Sequence, residues 1–225
     1  MTHLSAIDRK YSTAQPLGAI YSADSTRFAV WSPAACAVSV NLYNSGDDSA
    51  PLCSYPMTKD EKGVWHLDAC GDLDGKYYTY SFCIDGTTRE APDIYSRSAG
   101  INGRKSMIFS ERSVSVEGWE DDRPVRLKSP CDAIICEAHI RDLSMDENAD
   151  FAQRGKFLSL CETGVKNSHG DSAGLDYLTQ LGITHLHLLP VMQNASVDER
   201  SPQFNWGYDP LLYNVPEGSY TTDPH

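Results

Sequence analysis

Two kinds of long apolar segment are missing from this 225-residue chain. No stretch approaches the roughly 18 uninterrupted apolar residues of a membrane helix, and MTHLSAIDRKYSTAQP lacks a secretory signal's basic-then-apolar layout. The expected compartment is therefore cytoplasmic, with no membrane partner. Basic residues are scarce, 19 against 31 acidic, for a net charge of −12. Such a surface repels phosphate backbones, so nucleic acid is not an expected partner. Seven cysteines occur, an odd number, with no C-x-x-C pair of the kind that builds zinc or redox sites. They read as reduced, mostly buried small residues. G-x-S-x-G, H-E-x-x-H and a phosphate-cradling glycine loop are also missing, and nothing calls for a cofactor. What remains is ordinary globular composition, 40% apolar and 22% charged, enough for one or two domains.

The first half reads as all-β. RFAVW (Arg27 to Trp31), AVSVNLY (Ala37 to Tyr43), GVWHLDA (Gly63 to Ala69) and KYYTYSFCID (Lys76 to Asp85) are short, rich in Val, Tyr, Phe and Trp, and nearly alternating. Turn clusters such as Asn44-Ser45-Gly46-Asp47-Asp48 and Asp85-Gly86 separate them. This spacing predicts an immunoglobulin-like β-sandwich over residues 18–112 with Phe28, Val30, Val38, Val40, Leu42, Trp65 and Tyr78 in its core. Residues 1–17 precede it as an extension, and 113–130, mixing Pro, Gly and charge without a period, read as a linker.

From Cys131 the pattern changes. AIICEAHI (Ala133 to Ile140) is the apolar run of a strand buried on both faces, as in a parallel sheet. Leu175, Leu178 and Leu181 mark a short amphipathic helix with Ser172 as N-cap and Gly182 as its stop, and THLHLLPV (Thr184 to Val191) is a second buried strand. Strand, helix, strand is one crossover of a parallel α/β fold. Met192 to His225 then reads as a long, aromatic-rich loop, a length usually functional.

Several of these segments carry a resemblance. WSPAACAVSVNLY, GVWHLDACGDLDGKYYTYSFCIDGTTREAPDIYS, EAHIRDLSM, SAGLDYLTQLGITHLHLLPV and above all FNWGYDPLLYNVPEGSYTTDP resemble, in this order, the type I pullulanases, the starch-debranching branch of the alpha-amylase superfamily (glycoside hydrolase family 13). The last segment is the most specific, with Phe204 where that family's motif has tyrosine. The resemblance implies a sandwich of carbohydrate-binding module family 48 type, followed over 131–225 by the start of a (β/α)8 TIM barrel. It implies an α-glucan polysaccharide or oligosaccharide partner, with Tyr208 as the platform stacking on the sugar whose bond is cut and Asn205, Trp206 and Asp209 shaping the same pocket. A tyrosine suits that role, since its ring covers the C–H-rich face of a pyranose while the hydroxyl stays free to bond. Taken without the motif, the aromatics Phe204, Trp206, Tyr208 and Tyr213 read first as a mini-core that pins the loop down, and the motif reverses that reading for Tyr208 alone.

Retaining hydrolysis of an α-1,6 branch linkage needs two carboxyl groups about 5–5.5 Å apart. In the resembled family these follow the fourth and fifth barrel strands, with a further Asp after the seventh, so no catalytic carboxylate is expected in this chain. It reads as an N-terminal fragment of a debranching hydrolase, inactive alone. The alternative is a non-catalytic glucan-binding module using Trp31, Trp65, Tyr77 and Tyr80 as its platform. His185 and His187 share a strand face but lack a third ligand, and Asp146, Asn148 and Asp150 lack the glycine and glutamate of a calcium loop, so no metal site is expected. Glu137, Asp142 and Asp209 are the remaining acid and base candidates, with nothing local to pair them.

Overall fold

The computed structural model describes residues 6–124, 126–201 and 203–224. Residues 1–5 of the expected extension and His225 lie outside the described residues. The chain divides into two compact units, one running to Val114 with Leu212–Val215 and the other comprising Ser115–Leu211 with Pro216–Pro224.

The first unit begins with helix α1 (Ala6–Tyr11) and continues through β1 (Gly18–Tyr21), β2 (Ser25–Trp31), β3 (Ala37–Tyr43), β4 (Cys53–Pro56), β5 (Thr58–Lys59), β6 (Val64–Cys70), β7 (Tyr77–Ile84), β8 (Thr87–Ala91) and β9 (Ser106–Met107). One sheet runs β1-β2-β6-β5 and the other β4-β3-β7-β8, with β9 also on β7. All of these pairings are antiparallel. The expected sandwich is therefore present.

Its core follows from the period-2 alternation of the strands. Register places Val40 opposite Tyr80 and Leu42 opposite Tyr78, so aliphatic and aromatic side chains share the inner face. Phe28, Val30, Val38, Val40, Leu42, Trp65 and Tyr78 all lie in the buried cluster, joined by Met57, Tyr80 and Ile108. Phe28 and Tyr78 meet edge to face with centroids 5.1 Å apart, and Tyr78 and Tyr80 at 5.6 Å. Burial of Trp65, Tyr77 and Tyr80 removes three of the four platform candidates. Trp31 stays exposed, with its indole N–H donating to Tyr11 O and Lys62 O.

The tyrosine hydroxyls at the core's edge converge on one carboxylate. Asp93 is 1% exposed, and its Oδ2 accepts from Tyr78 OH at 2.8 Å and Tyr80 OH at 3.3 Å, while Oδ1 accepts the Tyr95 N–H. Burial pushes the Asp93 carboxyl up, against these hydrogen bonds that pull it down. The folded state thus holds its proton more readily than the unfolded chain does. Stability from this group rises as pH falls through the raised value, and the penalty is fully present above it. In Asp93→Asn the dependence of the urea midpoint on pH, between the ordinary 3.8 and the raised value, is expected to flatten. A slope unchanged from wild type would refute this assignment.

The remaining elements are β10 (Ile135–Ala138), α2 (Gly174–Gln180), β11 (His185–Leu188), β12 (Met192–Asn194) and β13 (Pro210–Pro216). β10 and β11 pair in parallel, Ile135 with His185 through Ala138 with Leu188, and α2 lies between them in sequence.

Four expectations need correction. Ser172 is not the N-cap: Ala173 occupies that position without a side-chain bond, and Ser172 Oγ instead accepts from Lys166 Nζ and Gln180 Nε2. Gly182 does stop the helix region with a left-handed φ of 77°. Met192 to His225 is not one long loop, because β12, β13 and a 3-10 turn at Gly218–Tyr220 occupy much of it. Along β10 and β11 exposed and half-buried residues alternate rather than being buried on both faces, and Ile135 is 64% exposed. The cysteines are not mostly buried either: Cys36, Cys70, Cys131 and Cys161 are exposed, being at element ends and in connecting segments where no layer covers them.

Candidate functional site

The segment Phe204–Asp209 is held by short-range bonds that its own sequence supplies. Asn205 Oδ1 accepts the Gly207 N–H at 2.9 Å, an Asx turn, while Asn205 Nδ2 donates to Ser196 Oγ and to Asp209 Oδ1, both at 2.9 Å. The Ala195 N–H closes the same turn by donating to Asp209 O at 3.0 Å. Hydrogen bonds from the Ser196 hydroxyl and then from Asn205 hold the Asp209 carboxyl below its usual range, so it stays an anion. Gly207 has a φ of 83°, and a Cβ there would lie 2.6 Å from Pro190 O. Only glycine fits both conditions.

Behind the turn lies an aromatic stack built around His139, the residue that follows β10. Ring contacts run from Phe157 to Tyr220, Tyr220 to His139, His139 to Phe204 and Phe204 to Trp206, with centroids 5.0–5.6 Å apart. His139 is buried, and its Nδ1 accepts the Arg141 N–H at 3.1 Å. That assigns the proton to Nε2, which stands 2.8 Å from Asn205 O and 2.9 Å from Tyr220 OH. Burial, reinforced by the Glu217 charge, pushes the Tyr220 hydroxyl up to about 12, so it remains neutral, and its oxygen faces the Nε2–H as an acceptor. Glu217, fully buried, accepts the N–H groups of Asn194 and Ser219 at 2.8 and 3.0 Å. The turn is thus fixed from two sides before any ligand arrives.

The expected site residues divide accordingly. Asn205 and Asp209 are brought together and bonded, as scaffold of the turn. Tyr208 and Trp206 project from it, 69% and 59% exposed. Tyr208 offers its ring and a hydroxyl to solvent, a rigidly mounted aromatic surface of the kind that binds sugars by stacking. Glu137 is not drawn to this turn: its carboxylate lies 3.5 Å from His187 Nδ1 on the exposed face of the β10–β11 pair. His185 Nδ1 is bonded to Thr184 Oγ1. Among the described residues no cluster of His, Cys, Asp or Glu could hold a metal ion. His139, Phe157, Glu217 and Tyr220 were not among the expected site residues. The one sequence signal for them is a histidine directly after an apolar strand.

Residues 16–96 match carbohydrate-binding module 48, the isoamylase N-terminal domain. The pullulanase of Bacillus subtilis (strain 168) is 38% identical over 223 residues, 98% of this chain and 30% of that protein. Pullulanase 1, chloroplastic, of Arabidopsis thaliana is 31% identical over 97% of this chain and 26% of its own length. Among solved structures, the pullulanase from Paenibacillus barengoltzii in complex with maltohexaose and alpha-cyclodextrin superposes with a TM-score of 0.94 at 43% identity, covering 99% of this chain and 35% of that one. The chain spans 26–35% of the length of these relatives.

Proposed function

From the premise that this chain carries a carbohydrate-binding module 48 domain and pullulanase-type sequence along its length, we propose that it is part of a debranching glycoside hydrolase. The whole protein cleaves α-1,6-glucosidic linkages in pullulan, glycogen or limit dextrins with retention of anomeric configuration. Residues 18–112 are the module, 1–17 an extension and 113–130 a linker. Residues 131–225 begin a (β/α)8 barrel in which β10, α2 and β11 are the first crossover. The parallel register of β10 with β11 supports that reading.

The observation that carries the proposal is the exposed ring of Tyr208 on a turn locked by Asn205, Asp209 and His139. The turn follows β11 in the chain, and in parallel barrels substrates meet the loops at the carboxyl ends of strands. Tyr208 stacks on the sugar, Trp206 extends the aromatic surface, and the Asp209 anion with Asn205 fixes the turn and offers acceptors to sugar hydroxyls. The attacking and protonating carboxyl groups come from elsewhere in the barrel. The module alone as glucan binder is less well supported, because Trp65, Tyr77 and Tyr80 are buried.

Pullulan incubated with the 225-residue polypeptide is expected to release no reducing ends above background. A longer polypeptide continuing the barrel is expected to release them, with the α-anomer appearing first by NMR. Hydrolysis by the short polypeptide would overturn the assignment of the carboxylates to the remaining barrel. β-anomer first would overturn retention.

A further inference from the structure

Two cysteines in the sandwich lie side by side across a strand pair outside the proposed glucan site. Cys36 directly precedes β3, and Cys83 lies near the end of β7, the strand with which β3 pairs. The ladder registers Ala37 with Cys83, yet the Cys36 N–H also reaches the Cys83 carbonyl at 2.9 Å. Two residues thereby oppose one, the arrangement of a bulge, which re-aims a side chain at the strand end. Cys36 Sγ sits 3.3 Å from that same carbonyl oxygen, and the neighbouring Cys83 thiol, as hydrogen-bond partner, holds the Cys36 thiol above its usual range. Both are free thiols, Cys36 exposed and Cys83 partly so. Residues adjacent across a strand pair are within the Cα separation a disulfide spans.

We propose that Cys36 and Cys83 are a reversible oxidation site, at which a small-molecule disulfide such as oxidised glutathione closes a covalent staple between the start of β3 and the end of β7. The exposed Cys36 loses its proton, and its thiolate attacks one sulfur of oxidised glutathione. A mixed disulfide forms and one glutathione thiolate leaves. Cys83, deprotonated in turn, attacks Cys36 Sγ and displaces the second glutathione thiolate. The two protein thiols give up two electrons and two protons, and one glutathione disulfide becomes two glutathiones. The elevated Cys36 thiol makes the first attack slow at neutral pH and faster as pH rises, since the thiolate is the nucleophile. The closed loop contains β3 through most of β7, so it restricts the unfolded chain far more than a hairpin staple would.

The 225-residue protein, treated with oxidised glutathione at about pH 8 and then alkylated and digested, tests this directly. The expected result is a peptide pair joined through Cys36 and Cys83, two alkylatable thiols lost from the seven, and a thermal midpoint raised by about 5 °C or more. Dithiothreitol should reverse all three. Exposed Cys70, Cys131 and Cys161 are internal controls for accessibility. Cys36→Ser and, separately, Cys36→Ala should abolish the linked pair and the shift while retaining the wild-type far-UV spectrum. Glutathione captured at Cys36 without a Cys36–Cys83 linkage would overturn the proposal, as would linkage only between separate molecules.

Discussion

Gly100→Ala is expected to destabilise the β-sandwich by about 3 kcal/mol, at the upper end for overpacking a well-filled site. Gly46 and Gly100 touch backbone to backbone. A Cβ on Gly100 would lie 2.4 Å from Gly46 Cα and 2.5 Å from its carbonyl oxygen, and a Cβ on Gly46 would lie 2.6 Å from Gly100 Cα. Gly100 has a φ of −78°, so the requirement is space and not a left-handed conformation. Neither obstacle is the tip of a flexible side chain, and relief therefore means separating two segments of main chain. The segment that would move is the turn after β3, which Lys105 secures. Its Nζ, on a side chain only 7% exposed, donates to Ser49 O at 2.9 Å and sits 3.9 Å above the Tyr43 ring. Lifting the turn strips those carbonyls and leaves a buried ammonium poorly paired. The exposed Arg104–Asp48 pair, at 2.6 Å, adds little by comparison. Urea unfolding followed by tryptophan fluorescence measures the loss, and a change below about 0.5 kcal/mol would contradict the argument. Gly46→Ala should cost at least as much, since its methyl would also lie 2.7 Å from the Tyr77 ring, and the double variant less than the sum, because one separation of the two backbones relieves the clash they share.

The elements that were legible in the sequence are those in which local pattern and final burial agree. Val38, Val40 and Leu42 alternate with Ser39 and Asn41 because the apolar set fills the sandwich core while the other face is polar, with Asn41 buried there only through its hydrogen bonds to Thr79 and Ser81, and that contrast is what period-2 reading detects. The same reading fails for β10. Its apolar run looks like a strand covered on both faces, but with β11 as its only strand partner among the described residues, Ile134 and Ile135 remain exposed. Composition records which surface a strand is suited to bury, not whether a neighbour is present. β13 was hidden for another reason: Pro210 and Pro216 bound it, and prolines at both ends read as loop. The motif Phe204–Asp209 marked the projecting Tyr208 and Trp206, together with the bonded Asn205 and Asp209. It could not reveal His139 and Tyr220, which lie 66 and 81 residues apart in sequence from Asn205 and His139 respectively and meet only in the fold. Phe204, where the resembled motif has tyrosine, packs its ring between His139 and Trp206.

Tyr208→Ala, introduced into a longer polypeptide that completes the barrel, is expected to lower kcat/KM on pullulan by roughly 10–100-fold. Covering an aromatic ring of this size removes apolar area worth about 1.5–3 kcal/mol, which is that range when expressed as a rate ratio. The ring is already held in place, so little of that energy goes to ordering the loop on binding. Tyr208→Phe keeps the stacking face and should stay within a few-fold of wild type if the hydroxyl is secondary. The scaffold predicts a contrast with Gly207→Ala. A methyl there meets Pro190 O at 2.6 Å and must displace the whole turn, so it should lower thermal stability as well as kcat/KM. Tyr208→Ala, removing a side chain that is 69% exposed, should leave the thermal midpoint within about 1 °C. Equal losses of stability in both variants would mean that Tyr208 packs against the protein and not against a sugar. Unchanged kcat/KM in Tyr208→Ala would remove the stacking role altogether and leave the turn as a structural brace.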